Sequence, residues 1–206
     1  MAKREGSPWG VLSGPGGALA QLCGLFLLGG GVGCLYAGFA AADGAFALRD
    51  FLTDYLALTG ADRLSLSLWP LLWGEFRWLL AVVLLGFTAL GGVGVPALFF
   101  VRGFLFSFSV GCFCRVFGWA GLLPALALFG IPALMWAPAF FLAGIQSLCG
   151  ARCLKGRGKG DSSGRPELVS TFWIRFLLCF LLVMASVGAE YLLVPALLRA
   201  AARIIL

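Results

Sequence analysis

Histidine is absent from the 206-residue chain, and Asp, Glu, Lys and Arg together make up only 12% of it. Without imidazole, the chain has no histidine general base, no His-ligated metal and no Ser-His or Cys-His nucleophile pair. Charged residues run near a quarter of an ordinary soluble chain, so a 12% share with 61% hydrophobic residues and a mean hydropathy of +1.01 is a membrane composition. At roughly 20 apolar residues per span, the length accommodates about four to six helices and no sizeable aqueous catalytic domain.

The scarce charges are uneven. Fifteen Lys+Arg against nine Asp+Glu give a net charge of +6. Five of the basic residues (Arg152, Lys155, Arg157, Lys159 and Arg165) fall between Gly150 and Pro166 beside a single acid, Asp161. Cytoplasmic loops collect Lys and Arg, so this loop, taken as 149–168, is expected in the cytoplasm together with Lys3 and Arg4. It lacks interleaved aromatics for stacking bases. Attraction to anionic membrane lipids is therefore the simpler reading, and nucleic acid is not an expected partner.

Hydrophobic runs and turn chemistry suggest an all-α polytopic bundle forming a single integral membrane domain, with five spans near 18–42, 78–100, 103–118, 121–148 and 172–193. The basic n-region and the small residues Ala40, Ala41 and Ala42 suggest a signal peptide, but the apolar run is too long for one, so an uncleaved helix is expected. Gly29, Gly30, Gly31 and Gly33 give that first helix a small-residue surface for close packing in lipid. Arg102-Gly103 is taken as one hairpin and 117–121, with Gly118 and Gly121 around Trp119, as the next. The fourth span contains Pro124, Pro132 and Pro138, which either set kinks in packed helices or break a helix around a binding site.

Segment 43–77 is expected outside the membrane, where Asp43, Asp50, Asp54, Asp62 and Glu75 outnumber Arg49, Arg63 and Arg77. Within it Leu48, Phe51, Leu52, Tyr55 and Leu56 recur at helical spacing, predicting an amphipathic extracytoplasmic helix. Trp69, Trp73 and Trp78 mark the following membrane interface. Five spans put the tail outside as well, where Arg199 and Arg203 oppose the charge rule unless the tail lies in the headgroups.

Candidates for chemistry are few. The seven cysteines lie mostly in apolar stretches, where Cys acts as a small hydrophobe. Cys149 and Cys153 share a helix face, but they lack a C-x-x-C pattern and a second ligand pair. No metal or other cofactor is expected. Arg115 and Arg175 sit near span ends and can snorkel. Glu190 is more informative, because a carboxylate in the last span is not needed for anchoring; it either takes a proton or cation or pairs with an arginine such as Arg115.

Beyond residue 76 a series of features resembles the stage II sporulation protein M family. It runs from Phe76 through Gly118, with Gly92 to Pro96 preceding an apolar run that ends in Arg102-Gly103, then Phe106 to Gly111. Gly118-Trp119, the spaced Pro132 and Pro138, and Glu190-Tyr191 with Pro195 follow in the same order. The resemblance implies a non-enzymatic membrane component of the sporulation engulfment machinery, in the septal membrane of the mother cell. It would recruit and hold peptidoglycan hydrolases, a lytic transglycosylase and an amidase/endopeptidase. The wider family often carries His and Glu between the two prolines, whereas this chain has Ala133-Leu134-Met135-Trp136-Ala137, which favours a scaffold over an ionic role there. Asp50, Asp54 and Asp62 on the outer segment are the expected partner-binding residues. The alternative is a small transporter or permease subunit with an acidic site at Glu190.

Overall fold

The computed structural model describes residues 15–60, 68–88, 90–157 and 167–205. They form long helices: α1 (Pro15–Gly60), α2 (Leu68–Gly86), α3 (Gly91–Phe117), the short α4 (Leu122–Ala125), α5 (Ile131–Arg157) and α6 (Glu167–Ile205). A 3-10 turn, Gly118–Gly121, precedes α4, and a π-helical turn, Leu126–Gly130, joins it to α5. Five stretches are long and apolar enough to cross a membrane: Pro15–Phe39, Trp69–Gly86, Gly91–Phe117, Leu126–Arg152 and Ile174–Leu193. The chain is an all-helical, multi-pass membrane protein.

The second and third spans are cut differently from expectation. No hairpin forms at Arg102-Gly103; α3 runs unbroken through both residues. The reversal instead falls at 87–90. There the N–H groups of Phe87 and Thr88 donate to the carbonyls of Leu84 and Leu85, the Thr88 hydroxyl also donates to Leu85 at 2.9 Å, and the Gly91 N–H donates to Thr88. These bonds satisfy backbone groups freed at the end of α2 and the start of α3 in a stretch without a single charge. Arg102 can lie inside a span because its charge is matched there, and Gly103 serves helix contact.

The segment expected outside, 43–77, is likewise redrawn. Helix α1 continues past its span to Gly60, and α2 begins at Leu68, so Trp69 through Arg77 belong to the second span. Alanines at 40–42, 45 and 47 are strong helix formers and carry α1 through Asp43 and Gly44. Helical structure at 48–56 agrees with the sequence pattern, as a continuation of α1. Similarly, α5 extends to Arg157 through a stretch expected as loop, and α6 carries the tail on to Ile205 in one helix with the last span. The remainder of the basic loop, 158–166, lies outside the described residues.

Packing is closest between α1 and α3. A Cβ at Gly29 would meet the Phe100 carbonyl oxygen, one at Gly33 that of Phe104, and one at Gly103 that of Phe26; at Gly111 it would lie 2.8 Å from the Ala37 methyl. Gly29 and Gly33 form a G-x-x-x-G pair, and their missing side chains let the two backbones touch, as lipid-embedded helices require for dispersion contact. Gly31, by contrast, faces open space. A core of Leu22, Leu79, Val82, Val95, Phe99, Ala139, Ala143, Leu148, Cys179 and Val183 joins α1, α2, α3, α5 and α6. At its centre the Phe99 ring stacks on Phe140 at 4.4 Å and meets Phe141 edge-on at 5.0 Å, in space left by Gly144.

The π turn precedes Pro132, which cannot donate a backbone hydrogen bond. The buried Ser186 hydroxyl of α6 donates to the Pro132 carbonyl at 3.2 Å. This bond fastens α6 to the irregular end of α5, the kind of bond by which neighbouring helices satisfy interrupted backbone. Ser186→Ala is expected to lower stability by about 0.6 kcal/mol, the average for interhelical bonds in lipid, read from thermal unfolding in nanodiscs. A loss of several times that would give the bond a larger role.

Candidate functional site: a charged cluster inside the spans

The apolar faces of three helices lead into charged residues. On α3, Val95, Phe99 and Arg102 recur at helical spacing; on α2, Glu75, Leu79 and Val82 do the same; on α6 the buried face Cys179, Val183 and Ser186 leads to Glu190. The three ionisable groups thus share faces with the core. The Arg102 Nη2 donates to Oε1 and Oε2 of Glu75, each at 2.7 Å, and the side chains are 15% and 20% exposed. These short, charge-assisted bonds hold α2 to α3 where little water competes.

Two indoles wall the guanidinium. Its central carbon lies 4.3 Å from the Trp136 ring centroid on α5 and 5.2 Å from that of Trp78 on α2. The ring faces add cation–π attraction, worth about 2 kcal/mol or more where desolvated. Trp136 also packs edge-on against Phe140 at 5.7 Å, linking the charged cluster to the aromatic core. Arg102 therefore ties three helices together.

Glu190 on α6 is half-buried. Arg115, proposed above as its partner, is exposed and donates instead to the Gly38 carbonyl of α1 at 3.4 Å. Thirteen residues separate Arg115 from Arg102, about 20 Å along a helix. Arg115 is thus engaged on α1 and not by Glu190.

Other candidates lie apart. Asp50 and Asp54 are exposed on the extension of α1. Asp62 and the side chain of Cys153 fall outside the described residues, while Cys149 is half-buried near the end of α5. At the other end of the bundle the Arg152 Nη2 donates to Gln21 Oε1 at 2.6 Å. Exposed Trp69 and Trp73 stack at 6.5 Å at the start of α2, the position of an interfacial anchor. Among the described residues, no three Cys, Asp or Glu side chains gather as a metal site would require.

Glu75, Arg102, Trp78 and Trp136 were not among the candidates read from the sequence. By sequence pattern Glu75 falls in the expected outer segment and Arg102 in an expected hairpin. The signal that could have found them is the continuation of each helix's apolar face through the charge: 95, 99 and 102 on α3, and 75, 79 and 82 on α2. No family model, curated protein or solved structure matches the chain.

Proposed function

We propose that the protein is a non-enzymatic membrane scaffold of the sporulation engulfment complex, recruiting and holding peptidoglycan hydrolases at the septal membrane. The observation that carries this reading is the arm of α1. The helix has 46 residues, about 69 Å at the usual rise, of which the span Pro15–Phe39 takes 25. The remaining turns continue without a break and present Asp50 and Asp54, an i,i+4 pair on one face, to solvent. A helix continuous with a packed span is a rigid mount for a partner, needing little ordering on binding. The serial resemblance after residue 76 supplies the class of partner. The cluster supports the same reading, since Arg102 is engaged by Glu75 and two indoles in holding helices together.

With the N-terminus and the basic segment in the cytoplasm, five spans put this arm on the outer side. Photo-reactive amino acids at Asp50 and Asp54 are expected to capture a cell-wall hydrolase in sporulating cells. Recovery of no extracytoplasmic protein from either position, with the chain inserted normally, would overturn the reading. A half-buried carboxylate, Glu190, within the last span favours transport as a second reading. Ion flux in proteoliposomes that is abolished by Glu190→Gln would establish it.

A further inference from the structure

The bond between Arg152 and Gln21 joins α5 to α1 and uses only half of an amide. Gln21 lies in the first span and is exposed, while Arg152 closes the fourth and is half-buried. A guanidinium only donates, so the amide oxygen faces Arg152 at 2.6 Å and the NH2 group, with its two donors, faces away. No described residue accepts from that group, and lipid tails offer no acceptor where unmet polar groups are costly. Gln21 is neutral and gives Arg152 no counter-charge. An acceptor that carries negative charge therefore suits both residues at once. Beside the pair the surface of α1 is open. Gln21, Gly24, Leu28, Gly31 and Leu35 follow one another at helical spacing on one face; Leu28 and Leu35 are exposed, and nothing lies within 4 Å of a Cβ at Gly24 or Gly31. From Gln21 to Leu35 this track runs about 21 Å along the span.

We propose that Gln21 and Arg152 form a seat for the phosphate of an anionic phospholipid in the leaflet at this end of the bundle, with an acyl chain lying along the α1 track. The Gln21 NH2 group and the guanidinium both donate to phosphate oxygens, which the planar guanidinium suits well. Position selects a lipid over a free anion. A soluble phosphate would have to leave water for the side of a span, whereas a phospholipid carries its phosphate on chains already there. Charge selects an anionic headgroup, because a zwitterionic one brings its own cation. Lys155 and Arg157 continue α5 past the seat and draw anionic lipid to this leaflet without belonging to it. The seat goes beyond the scaffold reading and does not depend on it.

The test is the thermal midpoint of the full chain in phosphatidylcholine nanodiscs with and without phosphatidylglycerol. Phosphatidylglycerol should raise the midpoint of the wild type, because a ligand of the folded state stabilises it. Gln21→Leu and Arg152→Gln should each lose most of that gain, whereas the Lys155→Gln/Arg157→Gln variant keeps it. No gain in the wild type, a gain that Gln21→Leu leaves intact, or one lost equally in Lys155→Gln/Arg157→Gln would overturn the seat. So would inorganic phosphate that reproduces the Gln21-dependent gain in phosphatidylcholine alone. Should Gln21→Leu or Arg152→Gln fail to accumulate, photo-crosslinking from an otherwise wild-type chain decides. A photo-reactive amino acid at Gly24, where a side chain has room, should capture phosphatidylglycerol above its share of the bilayer, and one at exposed Leu177 on α6 should not. Equal capture at both positions contradicts the proposal.

Discussion

Leucine in place of Gly33 or Gly103 is expected to abolish folded protein. At both positions a single Cβ would strike a backbone carbonyl oxygen of the facing helix, Phe104 opposite Gly33 and Phe26 opposite Gly103. Flexible side chains can swing aside, but backbone in a packed helix cannot, so α1 and α3 would have to separate. An extra methylene in a well-packed core costs about 1–3 kcal/mol. Here a whole side chain is inserted where the helices touch, and the penalty exceeds that range. Lipid offers no hydrophobic driving force to push the helices back together. Gly24→Leu and Gly31→Leu are the matched controls, because nothing lies within 4 Å of a Cβ at either site. Fluorescence-detected size exclusion in detergent should show loss of the monodisperse peak for Gly33→Leu and Gly103→Leu and its retention for the two controls. Equal behaviour of all four would contradict the α1–α3 crossing.

Arg102→Gln should have the second large effect. Removing the guanidinium leaves Glu75 without its cation, and the loss of one partner of a buried pair costs about 3–5 kcal/mol. The indoles of Trp78 and Trp136 lose their cation as well. Arg102→Lys should recover only part of this, because an ammonium is compact and more strongly hydrated, and cannot present the planar fork to carboxylate and rings together. Glu75→Gln should cost less than Arg102→Gln, and the Glu75→Gln/Arg102→Gln double variant should stand above Arg102→Gln alone, since neutral partners leave fewer unmatched charges. Unfolding in nanodiscs monitored by tryptophan fluorescence gives the order directly. Arg102→Gln melting with the wild type would mean that the pair contributes little.

The membrane class and the number of spans were legible from composition and run length, which are additive along the chain. The close-packing role of Gly29 and Gly33 was legible too, because a small-residue surface on an apolar helix has one common use. What misled was charge read as a boundary. Arg102 followed by glycine looks like a turn when each charge is judged alone, but Glu75, 27 residues away, matches it, and a pairing across that distance leaves no local mark. Judged singly, Glu75 likewise falls with the acidic residues of the outer segment, although it lies in the second span. The true reversal at 87–90 was obscured because its bonds come from backbone and one threonine in an apolar stretch. Alanine-rich sequence at 40–48 favours continuing α1, which the acidic residues around it concealed.

With Trp69 through Arg77 in the second span, the described carboxylates left to the proposed docking face are Asp50 and Asp54 on a helical arm. Within the spans Glu75 is held by Arg102, while the arm's carboxylates are exposed. Affinity purification of the full chain from sporulating cells, alongside an Asp50→Lys/Asp54→Lys variant, tests the scaffold directly. Cell-wall hydrolases should co-purify with the wild type and be lost with the variant although it inserts and accumulates equally; recovery of no hydrolase with the wild type, or equal recovery with both, would contradict the account.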